Sequence, residues 1–394
     1  MTIAAVICEY NPFHNGHKYQ LDMIRKKLNV DYIICIMSGD YVQRGEPAIF
    51  SKEIRTRFAL ENGADLVLQL PIAYATGSAD LFATGAVTLL NRLGCVDYLC
   101  FGSECGDIDT LCICAEKLLT EGQVGSEGMR ALMKQGNTFA KSRYLLFPEF
   151  EMLLAHSNNV LALEYIMALM RTKSSIKPYT IKREGQDYDD DTITGNETFL
   201  SASALRTAFK KGEIEKIRKY VPYDPETIEQ KPIFVNDYSS EVFYALLTKQ
   251  NTIHEHLETS EDLTKRMISE LYSFTDFTSY VDLIKAKNYT FTRISRTLFH
   301  ILLGIKGSNT MYKEMIAHIS HIKVLGFKES SKDLLTIISD KSSITLMTKV
   351  PAVYDSLNSL TKSVVDDELF ASSLYNQKCK NGMHEFSKQI VLVK

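Results

Sequence analysis

The sequence predicts an α/β fold: a doubly wound, parallel, five-stranded sheet followed by a mainly helical C-terminal domain. Three observations carry this. Short apolar runs alternate with capped, amphipathic segments through the first hundred residues, the mark of strand-helix-strand units. The runs are apolar along their whole length, as parallel strands buried on both faces are. Beyond about residue 230 the strand pattern fades and long amphipathic segments take over.

The elements follow in order. "IAAVIC" (3–8) is the first strand, and "KYQLDMIRKKL" (18–28) a helix with Leu21, Ile24 and Leu28 on one face. "DYIICIM" (31–37) is the second strand. "SKEIRTRFALENG" (51–63) is a helix with Ser51 as N-cap and Gly63 just past its end. "DLVLQL" (65–70) is a third strand, stopped by Pro71. "SADLFATGAVTLLNRLG" (78–94) is a helix running from a Ser cap to a terminal Gly, and "DYLCFG" (97–102) is the fourth strand. Residues 107–172 read as mostly helical, and "IKPYTIKRE" (176–184) as the fifth strand. The acidic "GQDYDDDTITGNET" (185–198) reads as a mobile loop, and "SASALRTAFKKGE" (201–213) opens another helix. "VPYDPE" (221–226) marks a boundary, giving an α/β domain over 1–225 and a mainly helical region over 226–394.

With 394 residues, 45% of them hydrophobic and 24% charged, the chain is expected to be a soluble globular protein with a real core. There is neither a signal-peptide start nor an apolar window long enough to span a bilayer, so a cytoplasmic location is expected and no membrane partner. Eight cysteines make no disulfide framework, and Cys105, Cys112 and Cys114 lack the paired ligands of a zinc site. A net charge of −3 does not announce nucleic acid, so local clusters matter more than the sum.

Chemistry is concentrated where ligands bind in such sheets, beyond the carboxyl ends of the strands. After strand one comes "CEYNPFHNGHKYQL" (8–21). A loop entering a helix offers free backbone N–H groups and the positive end of the helix dipole, an anion site before any side chain is counted. Gly16 permits close approach, and His14 and His17 can donate to phosphate oxygens or carry positive charge beside them. A metal pair is the alternative, since HxxH can place two imidazoles on one ion, but further ligands are wanting and no metal site is expected. After strand two, "SGDYVQRGEP" supplies Asp40 and Arg44, which could order magnesium or a small acid.

The motifs "VICEYNPFHNGHKYQL", "MSGDYVQRGEPAIFSK", "ADLVLQLPIAYATGSADLFATGAVTLLN", "FGSE" and "FLSASALR" occur in this order, with "FTRISRTLFHILLGI" and "IKVLGF" further on. "NPFHNGH" resembles the HxGH signature of the nucleotidyltransferase superfamily, whose sheet is of the five-stranded HUP type and binds ATP at this loop. The ordered set resembles the bacterial tRNA(Met) cytidine acetate ligase family over most of the chain. That resemblance implies ATP-dependent activation of acetate as acetyl-adenylate, with release of pyrophosphate. The acetyl group then passes to the exocyclic amine of the wobble cytidine of elongator tRNA(Met), giving N4-acetylcytidine and AMP. Magnesium would accompany the ATP.

The resemblance also assigns residues. The nucleotide would lie along Ile7, Cys8, Glu9, Tyr10, Asn11, Pro12, Phe13, His14, Asn15, Gly16, His17, Lys18, Tyr19 and Gln20, and against Gly102, Asn159, Lys182 and Arg183. Catalytic roles fall to His14 and His17, and to Ser201, Ser203 and Arg206 of "SASALR", where the superfamily's lysine-bearing form of this motif is absent. Asn159 would equally serve as a helix cap, and Arg183 as a solvated surface residue. Lys287, Arg293 and Arg296, with Tyr289 and Phe291, resemble a grip on a single-stranded RNA loop. Two other readings remain: a small-molecule adenylyltransferase of cofactor synthesis, which leaves the helical region unexplained, and a non-catalytic RNA-binding protein.

Overall fold

The computed structural model describes residues 1–121, 126–137, 139–184, 193, 197–379 and 382–394. An eight-stranded sheet runs through its centre. Five strands are those the sequence predicts: β1 (Ile3–Cys8), β2 (Tyr32–Ser38), β3 (Leu66–Leu70), β4 (Tyr98–Ser103) and β5 (Lys177–Lys182). They pair in parallel in the order β3-β2-β1-β4-β5. Alternate residues face opposite layers. Ala4 and Val6 meet Leu21 and Ile24 of α1 (Asn15–Leu28) and Phe58 of α2 (Lys52–Glu61). Ile3, Ala5 and Ile7 belong to the other layer, with α3 (Ala79–Leu93), α4 (Ile108–Thr120) and α5 (Ser157–Arg171). The sheet is therefore doubly wound.

The caps explain where the helices start. Ser51 accepts from the Ile54 N–H, Ser78 from Leu81, and Ser201 from Ala204 at the head of α6 (Ala202–Lys211). Helix α1 begins at Asn15, one turn before the apolar stripe that announces it, because His14 is its N-cap.

The chain leaves β1, fills one side with β2 and β3, then crosses to the other side for β4 and β5. Strand order reverses between β1 and β4. Carboxyl-terminal ends that diverge there leave a crevice, the usual ligand position in open parallel sheets.

The C-terminal region is mainly helical, as predicted, but it also adds strands. β6 (His321–Lys328) runs antiparallel to β3, and β7 (Thr345–Met347) and β8 (Val391–Val393) pair with β6 in parallel. Two further helices matter below: α7 (Phe291–Leu303) and α8 (Ser359–Lys378). No helix among the described residues is long and apolar enough to cross a membrane. Most of the acidic segment 185–198 lies outside the described residues.

The first turns of α2 tie these parts together. Arg55 is fully buried, and its guanidinium donates to the carbonyls of Glu9 (2.6 Å), Phe50 (2.9 Å), Ser38 (3.1 Å) and Gly39. The Lys52 ammonium, also fully buried, meets Ser372 of α8 (2.6 Å), Glu385 (2.9 Å) and Asp40 (3.2 Å). Lys388 reaches back to Glu53 at 2.9 Å, and Glu368 of α8 accepts from Gln69 and from the Ile72 N–H. A buried charge is tolerated when paired and costly when its partner is removed. Lys52→Met should therefore lower stability by about 3–5 kcal/mol, by leaving Asp40 and Glu385 without their shared cation. Urea denaturation measures this, and a loss below about 1 kcal/mol would show that the network does not hold the C-terminal region.

Candidate active site

A cavity of about 510 Å³ opens at the reversal point between β1 and β4, within the size range of a small-molecule site. One wall is the turn from β1 into α1. Tyr10 adopts a left-handed backbone (φ +49°), and the Asn11–Pro12 peptide is cis. The Tyr10 ring packs edge-on against Phe13 and beside His17. The two histidines stack on each other with ring centres 3.7 Å apart.

Their hydrogen bonds settle their chemistry. His14 Nδ1 accepts the Gly16 N–H at 3.1 Å, and His17 Nδ1 accepts the His14 N–H at 3.3 Å. The pair thus forms a capping box in which imidazoles stand where Ser and Glu usually do. A ring nitrogen that accepts an N–H carries no proton, so each neutral ring holds its proton on Nε2. Burial, helped by the Arg183 and Arg206 charges, pulls the His14 imidazole down to about 3. Burial, then His14 and Arg183, holds His17 well below its ordinary value. In these surroundings both are neutral Nε2–H donors at neutral pH.

Arg206 enters from α6. Its guanidinium donates to the Asn11 carbonyl at 2.9 Å and lies 3.5 Å from Glu46. Arg44, Lys182, Arg183, Arg206 and Arg296 all line the cavity, against Glu9 and Glu184 as the carboxylates among the described lining residues. Five cations against two anions give a positive cavity in a chain of net charge −3, which suits a polyphosphate. Phe82, Phe101, Leu161 and Tyr165 make an apolar wall on the α3 and α5 side, suited to a flat base.

Of the residues assigned from sequence, Ile7, Cys8, Glu9, Tyr10, Asn11, His14, Gly16, His17, Tyr19, Gln20, Gly102, Lys182, Arg183 and Arg206 meet in this cavity. A Cβ on Gly102 would approach the Arg183 side chain to 3.2 Å, so glycine there leaves room for that arginine.

Others stand behind the wall. Phe13 is buried beneath it, and Pro12 is not among the lining residues. The Asn15 side chain bonds the Lys219 carbonyl, and Lys18 pairs with Asp22. Asn159 accepts the N–H groups of Glu104 and Cys105, fixing the loop after β4, while its neighbour Asn158 faces the cavity. Ser201 caps α6, and Ser203 receives an Arg206 N–H at 3.4 Å, so the two hydroxyls position the helix and its arginine.

Asp40 is not at the cavity. It is drawn into the core by Lys52 and Ser372, and the Lys52, Lys388 and Arg55 charges hold its carboxyl below the usual range against the opposing effect of burial. Arg44, from the same turn, does line the cavity.

Sequence reasoning missed Gln43, Thr292 and the apolar wall. It also placed Arg296 on an RNA-facing surface. Arg296 lines the cavity, with Nε 2.7 Å from Glu258, while Arg293 lies over the Tyr289 ring at 5.0 Å and stays outside. The spacing of three that put them on one helix face does not keep them in one environment. The turn at Gly45 (φ +72°) packs against α7 so closely that a Cβ would sit 2.2 Å from the Arg296 backbone nitrogen.

The histidine environment predicts a pH effect on stability. His14 stays neutral in the folded protein down to about pH 3, whereas its unfolded counterpart protonates below about 6.5. Its contribution is therefore fully present above the unfolded value and lost as pH falls. Between pH 6.5 and 5 the native protein should lose on the order of 2 kcal/mol more than His14→Gln does. Denaturant titrations of both proteins at the two pH values check this. Parallel losses would mean that His14 titrates normally.

The model of the HIGH Nucleotidyl Transferase family matches residues 1–389. The tRNA(Met) cytidine acetate ligase of Thermoanaerobacter sp. (strain X514) is 39% identical over 97% of this chain and 96% of its own length. The protein of the same name from Clostridium perfringens (strain ATCC 13124) is 34% identical over 95% of each. Among solved structures, apo Thermotoga maritima TmcAL superposes with a TM-score of 0.90 at 29% identity, covering all of both chains. The same Thermotoga protein bound with alpha-thio ATP superposes at 0.88 and 28% identity, again over all of both chains.

Proposed function

The chain belongs to the HIGH nucleotidyl transferase family, among the tRNA(Met) cytidine acetate ligases, and from that premise we propose how its cavity performs an ATP-dependent acetylation of tRNA. ATP lies with its base against Phe82, Phe101 and Tyr165 and its phosphates towards His14, His17 and Arg206. The carrying observation is the stacked histidine pair, whose Nε2–H donors are fixed in tautomer by backbone N–H groups. Neutral donors held rigidly at a helix N-terminus stabilise charge that builds on departing pyrophosphate without reorganising. Acetate attacks the α-phosphate, and the resulting mixed anhydride is reactive enough for a cytidine amine, a weak nucleophile conjugated into its ring.

Magnesium travels with the nucleotide. No group of three His, Cys, Asp or Glu side chains among the described residues is arranged to hold a metal ion, and magnesium would act there by screening charge on the phosphates. Free cysteines throughout fit a cytoplasmic setting. Residues 1–225 carry acetate activation and 226–394 present the RNA. Arg293, stacked on Tyr289, together with exposed Lys287 on the same surface, favours the elongator tRNA(Met) anticodon there.

Incubation with labelled acetate, ATP and tRNA(Met) should yield labelled tRNA, with the label on a cytidine by mass spectrometry. His14→Ala and His17→Ala should abolish acetyl-adenylate formation while remaining folded. Arg293→Ala should weaken tRNA binding and reduce the salt slope by about 1. Adenylylation of mononucleotides without acetate incorporation would instead support a cofactor-synthesis adenylyltransferase.

A further inference from the structure

The chemistry just described leaves one proton without a destination. When the cytidine amine attacks the acetyl carbonyl, a C–N bond forms. The carbonyl C–O bond to phosphate breaks, and AMP leaves with that electron pair. The nitrogen must also shed one of its two protons. The histidines cannot take it. Each presents Nε2–H to the cavity and has its other nitrogen occupied by a backbone donor. Burial keeps the Cys8 thiol and the Tyr10 phenol protonated, and Arg44, Lys182, Arg183, Arg206 and Arg296 are cations. Two carboxylates remain among the described lining residues. Glu184 is exposed at the rim, where it accepts the Tyr19 hydroxyl at 3.1 Å.

We propose that Glu9, at the carboxyl end of β1, accepts the proton from the cytidine amine during acetyl transfer. Its position is fixed from two sides. One carboxylate oxygen accepts the Gln43 N–H at 2.8 Å, and Arg55 holds its backbone carbonyl at 2.6 Å. The groups that bear on its charge are Glu46, Arg206, Arg44 and Arg55. Burial pushes its carboxyl up, opposed by the Gln43 N–H and by Arg206 and Arg44, which brings the group closer to the pH at which a base works best. A carboxylate in this cavity repels the phosphates that the cations attract, so phosphate binding does not explain it. A proton acceptor for the second half-reaction does.

This role rests on the acetate-ligase reading, and the two half-reactions test it separately. Acetate-dependent ATP–pyrophosphate exchange reports adenylate formation without tRNA. Single-turnover transfer of labelled acetyl from enzyme-bound acetyl-adenylate to tRNA(Met) reports the second step. Glu9→Gln keeps an oxygen for the Gln43 N–H but cannot take up a proton at neutral pH. In Glu9→Gln, transfer should fall by roughly a hundredfold relative to exchange. The rise of wild-type transfer with pH should also flatten. A circular-dichroism melt like that of the wild type shows that the variant is folded, and any loss in exchange sets the baseline against which transfer is read. A parallel fall in both steps would make Glu9 a nucleotide or magnesium ligand and overturn the proposal. Unchanged transfer would overturn it too, with the departing phosphate taking the proton. A wild-type protein with no acetate-dependent exchange would instead sink the acetate-ligase function, and this role with it.

Discussion

The active-site geometry depends on a single buried guanidinium. Arg55 lies fully buried in the core, and it is stable there because four carbonyls accept its N–H groups. Those carbonyls belong to the turn after β1, the turn after β2 and the entry to α2. Both strand-end turns meet at the cavity, so one planar group fixes the spacing between two of its walls. Glu9 inherits its position from this arrangement, and so does the hairpin that carries Gln43 and Arg44. Three residues earlier on α2, Lys52 performs the same kind of task for the C-terminal region, with charges in place of carbonyls.

The cavity separates two electrostatic problems. In the proposed reaction, triphosphate binding falls to the cavity's cations and to neutral imidazole donors. Proton removal is served by a carboxylate placed among those cations. Because the histidines are locked by their own backbone, the donor function persists unchanged across the neutral pH range. The titrating role is left to a group whose environment allows it.

Much of this was legible in the sequence. The five parallel strands, the Ser caps and the cavity position of the turn after β1 follow from periodicity and cap chemistry, which act over a few residues. What was missed depends on long-range contact. β6 pairs with a strand far upstream, so nothing local marks it as part of the same sheet. Phe82 and Tyr165 sit on the sheet-facing sides of their helices, where a cavity wall and a core read alike. Arg296 and Arg293 share a helix stripe, yet the Gly45 turn and Glu258 claim only Arg296. Asn159 was read as touching either nucleotide or helix, and it secures the loop after β4 instead. In the opening motif, the sequence placed both rings at the turn from β1 into α1, where the structure has them. Their mutual capping was not legible, because it needs the actual χ angles.

The buried Lys52 network also bears on how the protein is made. Residue 52 leaves the ribosome long before its partners Glu368, Ser372, Glu385 and Lys388, which lie far downstream in the chain. Until then Lys52 and Asp40 have little besides each other, and the edge of β3 awaits β6. Contacts of such sequence separation form late and slowly. The nucleotide cavity is thus completed only after these distant residues have emerged, and a chain cut short of them carries the catalytic motifs without the means to hold them in place.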